Sequence, residues 1–201
     1  MLRTITLNML FIACCCASAY AQNAGRDGID HGPTGTANLD YFNPTNDAHM
    51  KWLINDIETH HLKPAVASFA AGDLQKAKVD LDYLLARLVN HPQALAFAGL
   101  FAKATKNSLW GINNYERALR LYPQYALTHA QYGKYLSDID RVGDGIERLK
   151  KALEMDPRLV AAQVWLAAAY LKSGNADLAR QAAEQARSLG FKGDLTQYGL
   201  N

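Results

Sequence analysis

Small residues recur at a fixed interval of 34 positions through most of this chain, and no other feature restricts the fold so tightly. Ala65, Gly99, Gly133 and Ala167 form one series, and Ala77, Gly111, Gly145 and Ala179 a second. Leu84, Ala118, Ala152 and Ala186 form a third, and the bulkier Leu81, Tyr115, Leu149 and Ala183 a fourth. Such a unit reads as a pair of antiparallel helices, and two helices come close only where their side chains are minimal. Gly99 and Gly133, inside first helices, would each cost about 1 kcal/mol relative to alanine if exposed. A neighbouring helix is therefore expected to pack directly over them. Pro123 and Pro157, also 34 apart, are expected to end second helices, because proline offers no N–H and blocks helix continuation.

The period, the paired-helix pattern, the small columns and the terminal prolines together resemble the tetratricopeptide repeat. Gly72 to Ala77 and Gly174 to Ala179 look like that family's inter-helix turn leading into a second helix. The resemblance covers roughly residues 58 to 191. It implies an all-α, right-handed α-solenoid of four helix-turn-helix repeats, at about 58–91, 92–125, 126–159 and 160–193. Met50, Leu53, Ile54 and Ile57 add an extra N-terminal helix, with Asp47 as its cap, so the helical domain runs over 47–193 and a tail over 194–201. Val89 and Phe191 stand where the central units have proline, and Pro64 is expected to shorten the first helix of the first unit. That unit is expected to be a modified cap with the helix from Asp47 packed beside it. Leu81 to Pro92, together with Leu39 to Pro44, is similar to segments of small exported bacterial repeat proteins.

The opening residues read as an address. Arg3 supplies a positive charge, Ile5 to Ala13 is apolar apart from Thr6 and Asn8, and Ala19-Tyr20-Ala21 has the small-x-small pattern of a signal-peptidase site. Cleavage after Ala21 would leave Gln22 as the mature start and make 1–21 a signal peptide, with export to the periplasm or the outer membrane. The apolar run is too short to span a bilayer, which needs about 20 residues. Cys14, Cys15 and Cys16 are the only cysteines, so the cleaved chain would hold no disulfide and no cysteine-based metal site. The alternative is a lipid anchor at Cys14, since Phe11 to Cys14 loosely resembles a lipoprotein box. Residues 22–46, rich in Gly, Asn, Asp and Pro, read as a flexible arm. Its one hydrophobic cluster, Leu39, Tyr41 and Phe42, is expected to pack back on the helical body.

The chain carries 21 Lys and Arg against 19 Asp and Glu, a formal net charge of +2. Interspersed charges of both signs leave no electrostatic footprint for nucleic acid or an anionic membrane. No cofactor motif and no catalytic constellation stands out. His60 and His61 follow Glu58, but neighbouring helical residues point about 100° apart, unlike the i, i+4 pair that chelates zinc. A metal-dependent enzyme would require His60, His61 and Asp56 or Glu58 to converge. His91, in an Asn-His-Pro turn, is assigned a turn role. Trp52, Trp110 and Trp165 are out of repeat register and read as packing residues.

The resemblance implies a partner-binding groove lined by the first helix of each repeat. Its positions are Gln93, Ala96, Leu100, Lys103 and Ala104 in the second unit. In the third they are Leu127, Ala130, Lys134, Ser137 and Asp138, and in the fourth Ala161, Val164, Ala168, Leu171 and Lys172. That set suits another protein's helix or extended segment with apolar anchors and an acidic residue or two. It lacks the Asn-plus-basic set with which family members clamp a carboxyl terminus. The expected role is an exported protein–protein interaction module, a scaffold or an assembly factor. The alternative is an outer-membrane lipoprotein assisting assembly of a pilus, secretion or polysaccharide-export machine. The apolar side of the last unit, around Ala182, Ala183 and Ala186, is expected to be covered by the tail, by a partner or by a second copy in a homo-oligomer.

Overall fold

The computed structural model describes residues 38–43 and 48–196. The leader, Cys14, the arm up to residue 37, the Asp47 cap and the side chains of Met50, Trp52 and Leu53 lie outside the described part. Nine α-helices and one π turn account for most of the described residues. The chain divides after Tyr122 into two compact units.

The first unit begins with α1 (Ala48–Ile57), the π turn Glu58–Leu62 and α2 (Lys63–Ala70). These form one uninterrupted rod, since Ile57, Leu62 and Lys63 all keep right-handed helical dihedrals. The Lys63 N–H reaches the Glu58 carbonyl, one residue further back than an α-helix would allow. Pro64 follows in the first turn of α2, where the ladder is already out of step and its missing N–H leaves nothing unpaired. Pro64 therefore does not shorten the helix. The extra N-terminal helix is likewise no separate rod, because it runs straight on into the first helix of the repeat.

Then come α3 (Leu74–Arg87), α4 (Pro92–Ala104) and α5 (Ser108–Leu121). Helix α2 packs on α3, and α4 on both α3 and α5. Ala65, Ala77, Leu81, Leu84 and Ala118 are fully buried: the small columns lie where helices meet. Asp73 and Asn107 cap α3 and α5 by accepting from the amides of Lys76 and Trp110, at 3.0 and 3.2 Å.

The second unit holds α6 (Ala126–Asp138), α7 (Val142–Met155), α8 (Val160–Lys172) and α9 (Ala176–Ser188). Helix α6 packs on α7 and α8, and α8 on α7 and α9. At the α6–α7 crossing the two backbones touch. A Cβ on Gly133 would sit 2.7 Å from the Gly145 carbonyl oxygen and 2.7 Å from Leu149 Cγ, and a Cβ on Gly145 would meet the Gly133 carbonyl at 2.7 Å. Beyond α9, Leu195 is buried, and so are Ala182, Ala183 and Ala186. The single chain thus covers these alanines without a second copy, which removes the packing reason for a homo-oligomer at that end.

The turn between the two helices of each repeat contains one left-handed residue at the same place: Gly72 (φ 84°), Lys106 (57°), Asp140 (67°) and Gly174 (80°). The outer two are glycine, which adopts this conformation freely, whereas Lys106 and Asp140 hold it against their own Cβ atoms.

Candidate functional site

The groove positions divide by accessibility. On α4, Gln93, Ala96 and Leu100 are half-buried, and Lys103 and Ala104 exposed, so one stripe at i, i+3, i+4 spacing stays open to solvent. Lys103 makes no ion pair among the described residues. On α6, Leu127, Ala130 and Ser137 are buried, leaving Lys134 and Asp138 half-exposed and bonded to each other at 2.6 Å. On α8, Ala161 and Val164 are buried, while Ala168 and Leu171 are half-buried and Lys172 exposed. The Lys172 ammonium donates to the Ser137 carbonyl at 2.6 Å and meets Asp140 at 2.7 Å. Two of the three groove lysines expected to meet a partner's acid are therefore already neutralised at home.

The histidine cluster does not converge. His60 faces Asp56 at 3.5 Å at the surface. His61 Nδ1 meets Asp80 at 3.0 Å while its ring stacks on Tyr83. Glu58 turns instead to His91 at 3.0 Å. Each imidazole goes to a different carboxylate, and no group of three metal-ligating side chains occurs among the described residues. Trp165 is buried. Trp110 packs edge-on against Phe101 and donates its indole N–H to Asp82 at 3.1 Å.

The densest polar constellation is one that sequence reading did not assemble. Residues 38–42 lie as a strap across the turn between α3 and α4, bridged at Leu39 and turned at Asp40, whose carboxylate accepts the Phe42 N–H at 3.0 Å. The last carbonyls of a helix lack intrahelical partners, and at the end of α3 the strap supplies them. Asn38 N–H donates to Ala86 O at 3.1 Å and Leu39 N–H to Arg87 O at 2.6 Å, so that Leu39 and Leu88 form a parallel bridge. Asn90, fully buried, takes the Tyr41 N–H on its oxygen at 2.8 Å and gives its amide to Asp40 at 2.6 Å. Tyr122 donates its hydroxyl to the Asn38 carbonyl. Burial, and then the charge of Asp40, push that phenol up to about 12, so it remains a donor at any physiological pH.

His91 is wholly buried and more than a turn residue. Its Nδ1 accepts the Ala94 N–H at 3.2 Å, capping α4, so the ring proton sits on Nε2 and is donated to Glu58 at 3.0 Å. That hydrogen bond, opposed in part by burial, holds the Glu58 carboxyl below its usual range. The π turn positions Glu58 for this contact. The signal in the sequence was Val89, noted only as a departure from the proline seen at 123 and 157.

Residues 140–193, which span α7 to α9, match the tetratricopeptide repeat family. The matched segment is a tetratricopeptide repeat region. Solved structures of repeat proteins share the fold over much of the chain. A crystal structure of MamA matches it at 20% identity over 70% of this chain and 82% of that one, with a TM-score of 0.50. PilF of Pseudomonas aeruginosa matches at 18% identity over 68% of this chain and 62% of its own, with a TM-score of 0.52. YrrB, described as a tetratricopeptide repeat protein with an unusual peptide-binding site, matches at 14% over 75% and 77%, with a TM-score of 0.53. At such identities the likeness of these tetratricopeptide repeat proteins is one of fold. No curated protein matches the chain.

Proposed function

We propose that this chain is an exported interaction module that holds a helix or extended segment of another protein on the open face of α4. The observation that carries the reading is the open stripe on α4, where Ala96 and Leu100 offer apolar contact and exposed Lys103 has no acidic partner among the described residues. Half-exposed apolar side chains beside a cation with no ion pair among the described residues suit a partner segment with an aliphatic anchor and a carboxylate about one helical turn away. YrrB, which shares the fold, is described with a peptide-binding site, and that description is compatible with a peptide ligand here. Export rests on the leader ending at Ala21.

Crosslinking in the native cell envelope, comparing wild type with Leu100→Glu/Lys103→Glu, tests the binding reading. A partner recovered by wild type alone supports it, and equal recovery by both removes the α4 face from the function. Mass spectrometry of the mature N terminus tests export. Gln22 is the expected first residue, and a diacylated Cys14 would replace this reading with the lipoprotein one.

A further inference from the structure

The geometry points to a second binding site, separate from the α4 stripe: the turn between α3 and α4 is a slot for a short peptide of the type Leu-Asp-aromatic, bridged at its leucine and turned at its aspartate, and residues 38–42 are its resident ligand. The slot reads backbone as a peptide receptor does. Successive strap groups are matched by Ala86 O, Arg87 O, the Asn90 amide and the Tyr122 hydroxyl, the main-chain recognition by which extended ligands are held at exposed edges. Side chains add selectivity. Leu39 is 5% exposed and Asp40 7%, the first as an apolar anchor and the second as the acceptor for Asn90. The Tyr41 ring lies 4.3 Å from that of His91.

Part of the receptor is held by groups other than the strap. His91 is fixed from both sides by Ala94 and Glu58, and Tyr122 closes α5. The site is also singular. In the next two turns the positions of Val89, Asn90 and His91 are occupied by Pro123, Gln124 and Tyr125, and then by Pro157, Arg158 and Leu159. A parallel bridge in this register sets the N–H of residue 89 opposite the Leu39 carbonyl, and proline has no N–H to offer. A partner carrying the same short sequence would compete with the strap for one slot per chain.

The test uses a fluorescent, end-blocked peptide of residues 36–43 and the full chain. A tethered strap competes at an effective concentration in the millimolar range, so wild type should bind the free peptide weakly. The strap-weakened Leu39→Ser/Asp40→Ala chain should bind it at least about tenfold more tightly, and adding Asn90→Ala should abolish the gain. A cooperatively melting Leu39→Ser/Asp40→Ala chain that binds no peptide, or binding indifferent to Asn90→Ala, would overturn the proposal. Should that variant not fold, hydrogen exchange on wild type decides. Millimolar peptide should speed exchange at the Leu39 and Tyr41 amides if the slot is exchangeable, and an unchanged rate means that the strap is a fixed part of the fold. The α4 stripe does not enter this experiment, so its outcome is independent of the α4 reading.

Discussion

The α6–α7 pair of the second unit and the α2–α3 pair of the first meet the same packing demand by different means. In the second, α6 and α7 approach until the Gly133 and Gly145 backbones touch, and the pair is held by close apolar contact. In the first, the α2–α3 pair carries Ala65 and Ala77 at the equivalent positions, both buried, while α4 and α5 keep glycine there, at Gly99 and Gly111. What distinguishes this unit is a polar web in which a distant strap, a π turn and a capping histidine share hydrogen bonds. Contact of bare backbone tolerates no added atom, whereas a web of directional bonds tolerates volume changes but fails when one partner is removed.

Substitutions can break each half of that contrast. The largest effect is expected from Gly133→Ala, whose new methyl meets the Gly145 carbonyl oxygen and the Leu149 amide as well as Leu149 Cγ. Overpacking of this kind costs up to about 3 kcal/mol, read as a fall in urea midpoint, and an unchanged midpoint would mean that the helices can slide apart freely. His91→Leu, which installs the residue found at 159, removes the α4 cap and the donor to Glu58. A loss of about 2 kcal/mol is expected, with faster amide exchange at Ala94.

Acid should separate the units. Burial lowers the affinity of His129 for a proton, outweighing the favourable hydrogen bond to Pro123, with Arg148 and Lys151 adding repulsion. The unfolded chain therefore binds that proton first, and the second unit should lose stability as pH falls below 6.5. Glu58, also lowered, stabilises the first unit above pH 4.5, and that contribution should fade only below it. Exchange rates followed unit by unit from pH 7 to 4 would show this order, and a reversed order would contradict both assignments. Val89→Pro should cost about 1 kcal/mol and loosen the strap amides, while leaving the second unit untouched. The smallest expected effect is a gain. Lys106→Gly relieves a left-handed lysine and should raise stability by about 1 kcal/mol.

The repeat was legible because close helix packing imposes a local, periodic demand that small residues answer every 34 positions. Gly133, Gly145, Pro123 and Pro157 all lie where that reasoning placed them. The strap's packing against the helical body was legible too, from Leu39, Tyr41 and Phe42 as the arm's only apolar cluster. Its bonding was not, since Asp40 and Asn90 are 50 residues apart and Asn38 and Tyr122 are 84 apart, and no periodicity connects such positions. Pro64 misled because its effect depends on the π turn before it, which carries no sequence signal of its own. The groove positions on α6 and α8 were assigned by place in the repeat alone, and place does not reveal that Leu127, Ala130, Ser137, Ala161 and Val164 are already covered.

The π turn has one more consequence. Each residue advances a helix by about 100°, so the single additional residue in Glu58–Leu62 acts as a phase shifter between α1 and the repeat that follows. Deleting Thr59 while the π turn persists would swing everything before it by about that angle, and the Glu58 carboxylate would leave His91. Length at this one place, more than residue identity, therefore sets which face of α1 the chain shows to the outside.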